Sequence, residues 1–453
     1  MPRWCNSYAW VYAGRVNLLR TLTFLGACAV AAAQGEPHWV TVWTASVQGP
    51  YPTGNSLAQP NLKFAFPVPA TGAKDQTFRL IVLPDIWGRQ MRLRFSNVFG
   101  TKPVTFDGVY VGLHWSGGAV VAGTNRPVRF SQKASVTIPA GESVWSDAIA
   151  LPFAAASETQ LAGRKLAVSF HVAGESGPMT WHAKALATSY VSRPDAGSQG
   201  EHEDESAFPF TTTSWYFLDA VDMNAPGTAG VVVALGDSIT DGTGSTLNGE
   251  DRWPTALARR VHAAYGNRLA VVNAGIGGNR VAGPEEYSVQ KPFSGGPSAG
   301  QRLERDVLSL SNVKAVIWLE GINDVSASVN TPVETIEAAM KDAVKRMRGR
   351  IQGVRVIGAT VTSAKGASGG HGSAEEDQKR RALNDFIRNS GTFDGVADFD
   401  GATADTETGG LRAEFVPDST TGGAGDRLHP NRAGYQAMAM SVDLKLLAPA
   451  AKR

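Results

Sequence analysis

Four short clusters in this 453-residue chain carry side chains able to do chemistry together. An apolar run ends in Gly236-Asp237-Ser238, and a second ends in "NAGIGGNR", Asn273 to Arg280. A third delivers "EGIND", Glu320 to Asp324, and near the C-terminus stands "GDRLHPN", Gly425 to Asn431. A hydroxyl, a glycine-rich turn, a carboxamide and an Asp/His pair are what acyl transfer from an ester needs. A serine hydroxyl is a weak nucleophile and requires a base within hydrogen-bond reach, for which imidazole serves near neutral pH. The imidazole in turn needs a partner that fixes its tautomer and steadies its charge. The tetrahedral oxyanion needs preorganised donors, which backbone N–H groups at a tight turn and an Asn carboxamide can supply.

Asp426 and His429 are three residues apart, so on a turn the carboxylate can reach Nδ1 of the imidazole. Pro430 and Asn431 suit the start of a helix and would set the histidine at a rigid corner. Gly278 would let the backbone approach a substrate where a side chain would block the N–H. Each residue also has a plainer role open to it. Ser238 or Asn323 could cap a helix, Asp426 could be a turn residue, and His429 a structural surface histidine. Only the conjunction favours catalysis. The remaining histidines downstream of the leader described below (His38, His114, His171, His182, His202, His262 and His371) show no comparable partner spacing.

The elements that must position these clusters follow from hydrophobic pattern. From Ala229 onward, apolar runs that read as buried parallel strands alternate with helical segments. The strands are expected at Val231 to Leu235, Leu269 to Asn273, Val313 to Leu319, Val354 to Thr360 and Val396 to Phe399. The helices are expected at Trp253 to Tyr265, near Gln301 to Leu310, Pro332 to Arg348, Glu375 to Arg388, and Asn431 to about Leu447. Such alternation means a doubly wound α/β sheet, which binds ligands beyond the carboxyl ends of its strands. Ser238 stands at one of those ends.

Between His38 and Asp222 the pattern is different. "QTFRLIVL", "MRLRFSNV", "VTFDGVYVGLHW", "KASVTIP" and "KLAVSFHV" alternate or carry β-branched and aromatic residues, separated by Gly, Pro, Asn and Asp. This predicts an all-β sandwich or jelly roll. Trp39, Trp43, Trp87, Trp115, Trp145, Trp181 and Trp215 fall here and are expected to pack its core, a sugar-stacking surface being the alternative. The acidic run "EHEDE", Glu201 to Glu205, reads as a solvated loop in preference to a cation site.

"GDSIT", "GIGGN", "GIND" and "DRLH" resemble, in order, the four sequence blocks of the SGNH or GDSL hydrolases. The resemblance covers about Ala229 to Leu447. It implies a flavodoxin-like hydrolase fold with Ser238 as nucleophile, His429 as base and Asp426 orienting the histidine. It also implies an oxyanion hole of the Ser238 N–H, the Gly278 N–H and the Asn323 side chain. The β region followed by "ALGDSITDG" further resembles a secreted two-domain esterase subgroup.

The first 33 residues hold Arg3, Arg15 and Arg20, no acid, an apolar run from Leu22 to Val30, and a final Ala31-Ala32-Ala33. This order reads as a secretory signal peptide cut near Ala33, the run being too short to span a bilayer. "LGAC" at Leu25 to Cys28 suggests a lipoprotein box as the alternative. The expected division is then a leader at 1–33, a β-sandwich accessory domain at 38–222 and an SGNH hydrolase domain at 229–450. The product would be secreted or periplasmic, without a transmembrane span. Both cysteines, Cys5 and Cys28, lie in the leader, which leaves no disulfide and no thiol nucleophile. Losing three arginines takes the net charge from +2 to −1, and such a chain is not expected to bind nucleic acid.

Other motifs fail. The run from Gly236 lacks the Gly-Lys-Ser/Thr ending of a phosphate loop, and "GIGGNR" lacks a third glycine in dinucleotide register. Thr240 replaces the glycine of a Gly-x-Ser-x-Gly elbow. No residues take calcium-loop or zinc spacing, so no cofactor and no metal are expected. The sequence therefore predicts an exported serine esterase acting on small esters or acylated polysaccharide, short acyl groups such as acetyl foremost. No long apolar lid segment suggests a lipase. The loops from Gly283 to Gly300 and Ser363 to Gly372 are candidates to line the acyl or alcohol side. The alternatives are a lipase or thioesterase on lipid-type esters, and a carbohydrate-binding surface protein with a secondary hydrolase half.

Overall fold

The computed structural model of the chain describes residues 38–154, 158–225 and 229–448. The leader, its cleavage site and both cysteines lie outside the described residues. The main strands of the first region are β1 (Trp39–Thr44), β2 (Lys74–Val82), β3 (Gln90–Ser96), β4 (Val104–Leu113), β5 (Leu166–Glu175) and β6 (Leu218–Asn224). β6 lies between β1 and β3 in one antiparallel sheet, while β5 lies between β2 and β4 in a second. A small third sheet joins Gly49–Pro50, Thr180–His182 and Trp215–Tyr216. Phenylalanines from both large sheets fill the core: Phe78 stacks on Phe170 at 5.2 Å, and Phe95 meets Phe170 edge-on at 5.2 Å. Aromatic pairs of this kind add stability beyond their buried area.

The tryptophans divide. Trp43, Trp87, Trp181 and Trp215 are buried as expected, Trp39 and Trp145 are half-buried, and Trp115 is 67% exposed. The acidic run is a largely exposed loop, but it does more than solvate. Glu203 accepts from the N–H groups of Gly123 and Asn125, and Glu205 from that of Gly118. β1 and β6 are strands beyond those named from the sequence. Two aspartates interrupt the apolar character of β6, and each is paired with an arginine of the neighbouring strand. Asp219 pairs with Arg94 at 2.6 Å and Asp222 with Arg92 at 2.8 Å.

The second region builds one parallel sheet from β7 (Gly230–Gly236), β8 (Leu269–Gly275), β9 (Val313–Leu319), β10 (Arg355–Ala359) and β11 (Gly395–Ala397). Their order is β8-β7-β9-β10-β11, the flavodoxin-like doubly wound arrangement. Its helices are α1 (Ser238–Asp241), α2 (Trp253–Tyr265), α3 (Ala299–Leu303), α4 (Val333–Arg350), α5 (Ala374–Asn389), α6 (Phe399–Thr403) and α7 (Arg432–Ser441). Alternation along β7 explains the two layers. Val232 and Ala234 pack toward α2, α6 and α7, whereas Val231, Val233 and Leu235 join the cluster containing α3, α4 and α5. Each of these valines and the leucine contributes about 1.5–3 kcal/mol by leaving water. Because β8 and β9 flank β7, the connections diverge at the carboxyl end of β7. That crevice holds Ser238.

Three expected elements are corrected. The helix near Gln301 to Leu310 is α3 continued by a π-turn over Glu304–Leu308, in which Arg302 and Arg305 both reach Asp306. The last strand is shorter than expected, because Asp398 caps a helix that begins at Phe399. The final helix ends at Ser441, and Asp443 starts a separate 3-10 turn over Leu444–Leu447.

The two regions share one hydrophobic cluster, and the described residues from Trp39 onward form a single compact unit. Polar contacts also cross between them. Thr44 Oγ1 donates to Asn273 O at 2.8 Å, Gln48 Nε2 to Ser294 O at 2.7 Å, and Arg305 Nη2 to Val47 O at 2.8 Å. Among the described residues, no helix is long and apolar enough to cross a membrane.

Candidate active site

The nucleophile candidate is placed by a sharp strand-to-helix turn. Ser238 opens the one-turn helix α1 directly after β7, and Asp237 is the residue that caps it, accepting from Ile239 N at 2.9 Å. The capping alternative for Ser238 is thereby taken by its neighbour. Gly236 permits this closeness: a Cβ there would lie 2.3 Å from Leu319 O. Ser238 is 7% exposed, and its Oγ lies 2.8 Å from His429 Nε2. His429 Nδ1 lies 2.6 Å from Asp426 Oδ2. Asp426 also serves its turn, since Oδ1 accepts from the N–H groups of Leu428 and His429. Burial would raise its pKa, but the hydrogen bond and charge of His429, with those two N–H groups, hold it well below the usual carboxylate range.

Gly278 has φ +82°, a conformation that favours glycine, and its N–H donates to no acceptor among the described residues. The Ser238 N–H is likewise without an acceptor among them. Asn323 Nδ2 donates to Asn279 O at 2.9 Å, which brings the carboxamide against the glycine turn. No helix follows it closely: α4 begins at Val333, with Pro332 as its N-cap. The capping alternative for Asn323 therefore falls.

Some framework residues have no sequence signal. Arg302, fully buried, ties the carboxyl ends of β7 and β8 to the glycine turn after β8. Its Nη2 donates to Gly236 O at 2.8 Å, its Nη1 to Ala274 O at 2.7 Å, and its Nε to Asn279 Oδ1 at 2.7 Å. Burial pushes Asp237 up to about 7 and Glu320 to about 8, against hydrogen bonds and the Arg302 charge. Burial likewise pushes Asp324 to about 6, against the N–H groups of Ala282 and Val281 and the Arg280 charge. Asp324 accepts from Val281 N and Ala282 N, each at 2.9 Å, and so fixes the chain beyond the glycine turn.

Several of the other histidines do have partners, supplied by the fold from distant sequence. His182 Nε2 lies 3.2 Å from Asp241, His262 Nε2 lies 3.1 Å from Asp85, and His171 sits between Asp75 and Asp107. His371, in the loop from Ser363 to Gly372, is half-buried. Its pKa is lowered by burial and by the charge of His429. Beside Asp426 and His429 is a recess of about 220 Å³, lined also by Thr243, Gly244, Asp418 and Gly425. A larger open cavity of about 500 Å³ is lined in part by Lys365, Gly366, Asp405 and Arg427. Among the described residues no three His, Cys, Asp or Glu side chains gather as a metal site would require.

Residues 234–437 match the family model described as "GDSL-like Lipase/Acylhydrolase family". Similar solved structures include a carbohydrate acetylesterase family member from Sinorhizobium meliloti, at 14% identity, 48% of this chain, 99% of that one and a TM-score of 0.36. The aryl esterase of M. smegmatis gives 15% identity, 47% and 96% coverage and a TM-score of 0.35. A lipase/acylhydrolase from Enterococcus faecalis gives 20%, 49%, 100% and 0.36 in the same order. No curated protein matches the sequence.

Proposed function

We propose, for a chain whose residues 234–437 belong to the GDSL-like lipase/acylhydrolase family and which is a carboxylic ester hydrolase, that Ser238, His429 and Asp426 act as its catalytic triad. The observation that carries this reading is the unbroken relay of 2.6 and 2.8 Å from Asp426 through His429 to Ser238 Oγ. Ser238 Oγ attacks the ester carbonyl carbon while its proton passes to His429 Nε2. Asp426 accepts from Nδ1–H and stabilises the imidazolium that forms. The oxyanion faces the Ser238 N–H, the Gly278 N–H and Asn323 Nδ2. As the intermediate collapses, the alcohol leaves with the proton from Nε2, and Ser238 stays acylated. Water then repeats the attack, with His429 taking its proton. The free acid departs and Ser238 recovers its hydrogen.

The small recess beside His429, edged by Thr243, Asp418 and Asp426, favours a short acyl group. The substrate class is accordingly short acyl esters, with O-acetyl groups on polysaccharide as the natural case. Export by the leader fits an extracellular polymer. In p-nitrophenyl acetate hydrolysis, Ser238→Ala is expected to lower kcat by about 10⁴-fold or more with unchanged melting temperature. Turnover retained by that variant rejects the triad. Acetate release from acetylated xylan, compared with p-nitrophenyl esters of increasing chain length and with acyl-CoA, decides the substrate. A preference for long chains or thioesters would reverse it.

A further inference from the structure

We infer that Asn55, a residue of the β region, is a positioning residue that sets the direction of the Gly278 N–H toward the oxyanion. This rests on the proposed role of that N–H. A trans peptide is planar, so its C=O and N–H point in opposite directions. Whatever holds the Gly277 carbonyl therefore aims the Gly278 N–H. The carbonyl is held by Asn55, whose Nδ2 donates to Gly277 O at 2.9 Å across 222 residues of sequence.

The need for such a holder follows from the two glycines. A Gly-Gly peptide has more accessible orientations than any other pair, and Gly278 already occupies φ +82°. Left to itself, the peptide could rotate and turn its carbonyl toward the site, where it would repel the developing charge. Two anchors oppose that. Gly277 N–H donates to Asp241 Oδ2 at 2.9 Å, and Gly277 O accepts from Asn55. Asp241 is itself engaged from the β region, since His182 Nε2 lies 3.2 Å from its other oxygen. Lys184, two residues on and 5% exposed, donates to Thr243 Oγ1 and stands where a Cβ on Gly277 would meet its Nζ at 2.8 Å. The oxyanion turn is thus braced from outside its own sheet. A hydrogen bond to a carbonyl also polarises the whole amide, which strengthens the N–H as a donor.

Asn55 is suited to a clean test because it is exposed and its truncation opens no cavity. The experiment measures kcat, KM and melting temperature on p-nitrophenyl acetate for the wild type, Asn55→Ala, Asn55→Asp and Ser238→Ala, using the full exported chain. A trifluoromethyl ketone, whose serine adduct carries an oxyanion, probes the hole independently. Loss of an oxyanion donor costs about 10²–10³-fold, and losing only its alignment should cost about tenfold in kcat with KM nearly constant. Affinity for the ketone should fall by a similar factor. Asn55→Asp should be slower than Asn55→Ala, because a carboxylate cannot donate to Gly277 O and adds charge near the oxyanion. Both variants should melt with the wild type. If Ser238→Ala is inactive while both Asn55 variants keep kcat and ketone affinity within twofold, Asn55 has no positioning role and the proposed function stands. An effect on KM alone likewise overturns the inference, pointing to substrate contact. Turnover by Ser238→Ala would remove the underlying reading, and this inference with it.

Discussion

The α/β region and the β region contribute to one site in opposite ways. The first provides its groups from loops at strand ends: Ser238 after β7, Gly278 after β8, Asn323 after β9 and the Asp426–His429 turn before α7. The second provides no member of the proposed triad. It reaches the same loops with single side chains (Asn55, His182 and Lys184) drawn from segments without any motif. The contrast teaches that a motif specifies reacting groups, whereas the frame that aims them can come from elsewhere in the chain.

The most drastic way to break this comparison is to separate the regions. A fragment covering 229–453 would expose the apolar residues that share a cluster with the β region, and it would lack all three braces. It is expected to give no cooperative melt and no esterase activity. A fragment that folds and turns over like the full chain would show that the β region is dispensable.

Arg302→Met comes next, because it strips three acceptors and leaves Asp306 buried beside only Arg305. Breaking a buried pair costs about 3–5 kcal/mol, read as a fall in denaturant midpoint. Arg302→Lys should rescue little, since one ammonium cannot span Gly236 O, Ala274 O and Asn279. Rescue by lysine would mean that charge alone matters there.

Asn323→Ala is expected to lower kcat about 10²–10³-fold, roughly 3–4 kcal/mol, with little change in KM or melting temperature. Asn323→Asp should be at least as damaging, since a carboxylate repels the oxyanion. An active Asn323→Asp enzyme would remove this residue from the oxyanion hole.

Legibility follows the range of the interactions. The strand ends could be read because parallel strands buried on both faces are apolar runs, and their loops carry their own residues. Trp253–Tyr265 falls where its amphipathic pattern puts it. β6 was not legible, because Asp219 and Asp222 break its apolar pattern and are neutralised only by arginines more than a hundred positions away. His182 and Asn55 were silent for the same reason, their partners lying 59 and 222 positions off. Ser441, where α7 stops, was hidden because the apolar pattern runs on through Leu444–Leu447.

A smaller effect separates the buried carboxyls of the α/β region from ordinary surface ones. Glu320, Asp237 and Asp324 hold protons in the folded state at pH values where the unfolded chain has lost them. Folding then binds protons, so stability falls as pH rises from about 4 toward 8. Glu320→Gln removes one such group and can keep the acceptor for Trp318 Nε1. Its denaturant midpoint should decline less than the wild type's between pH 5 and 9. Equal slopes would contradict the protonated state. Smallest of all is Trp115→Ala, whose exposed ring should cost under about 0.5 kcal/mol. Trp181→Ala in the aromatic core should cost about 3–5 kcal/mol. A weaker hold on acetylated xylan by Trp115→Ala, without lost stability, would give the β region a second task.

The central claim, that Ser238 is a nucleophile activated by His429 beside an oxyanion turn braced by the β region, is tested most directly by covalent labelling. The full chain is treated with a serine-directed organophosphate, and the adduct is located by peptide mass spectrometry. The account predicts one adduct, on Ser238, absent from Ser238→Ala and formed much more slowly by His429→Ala and Asn55→Ala. An adduct on another serine, or labelling of Ser238 at the wild-type rate without His429, would contradict it.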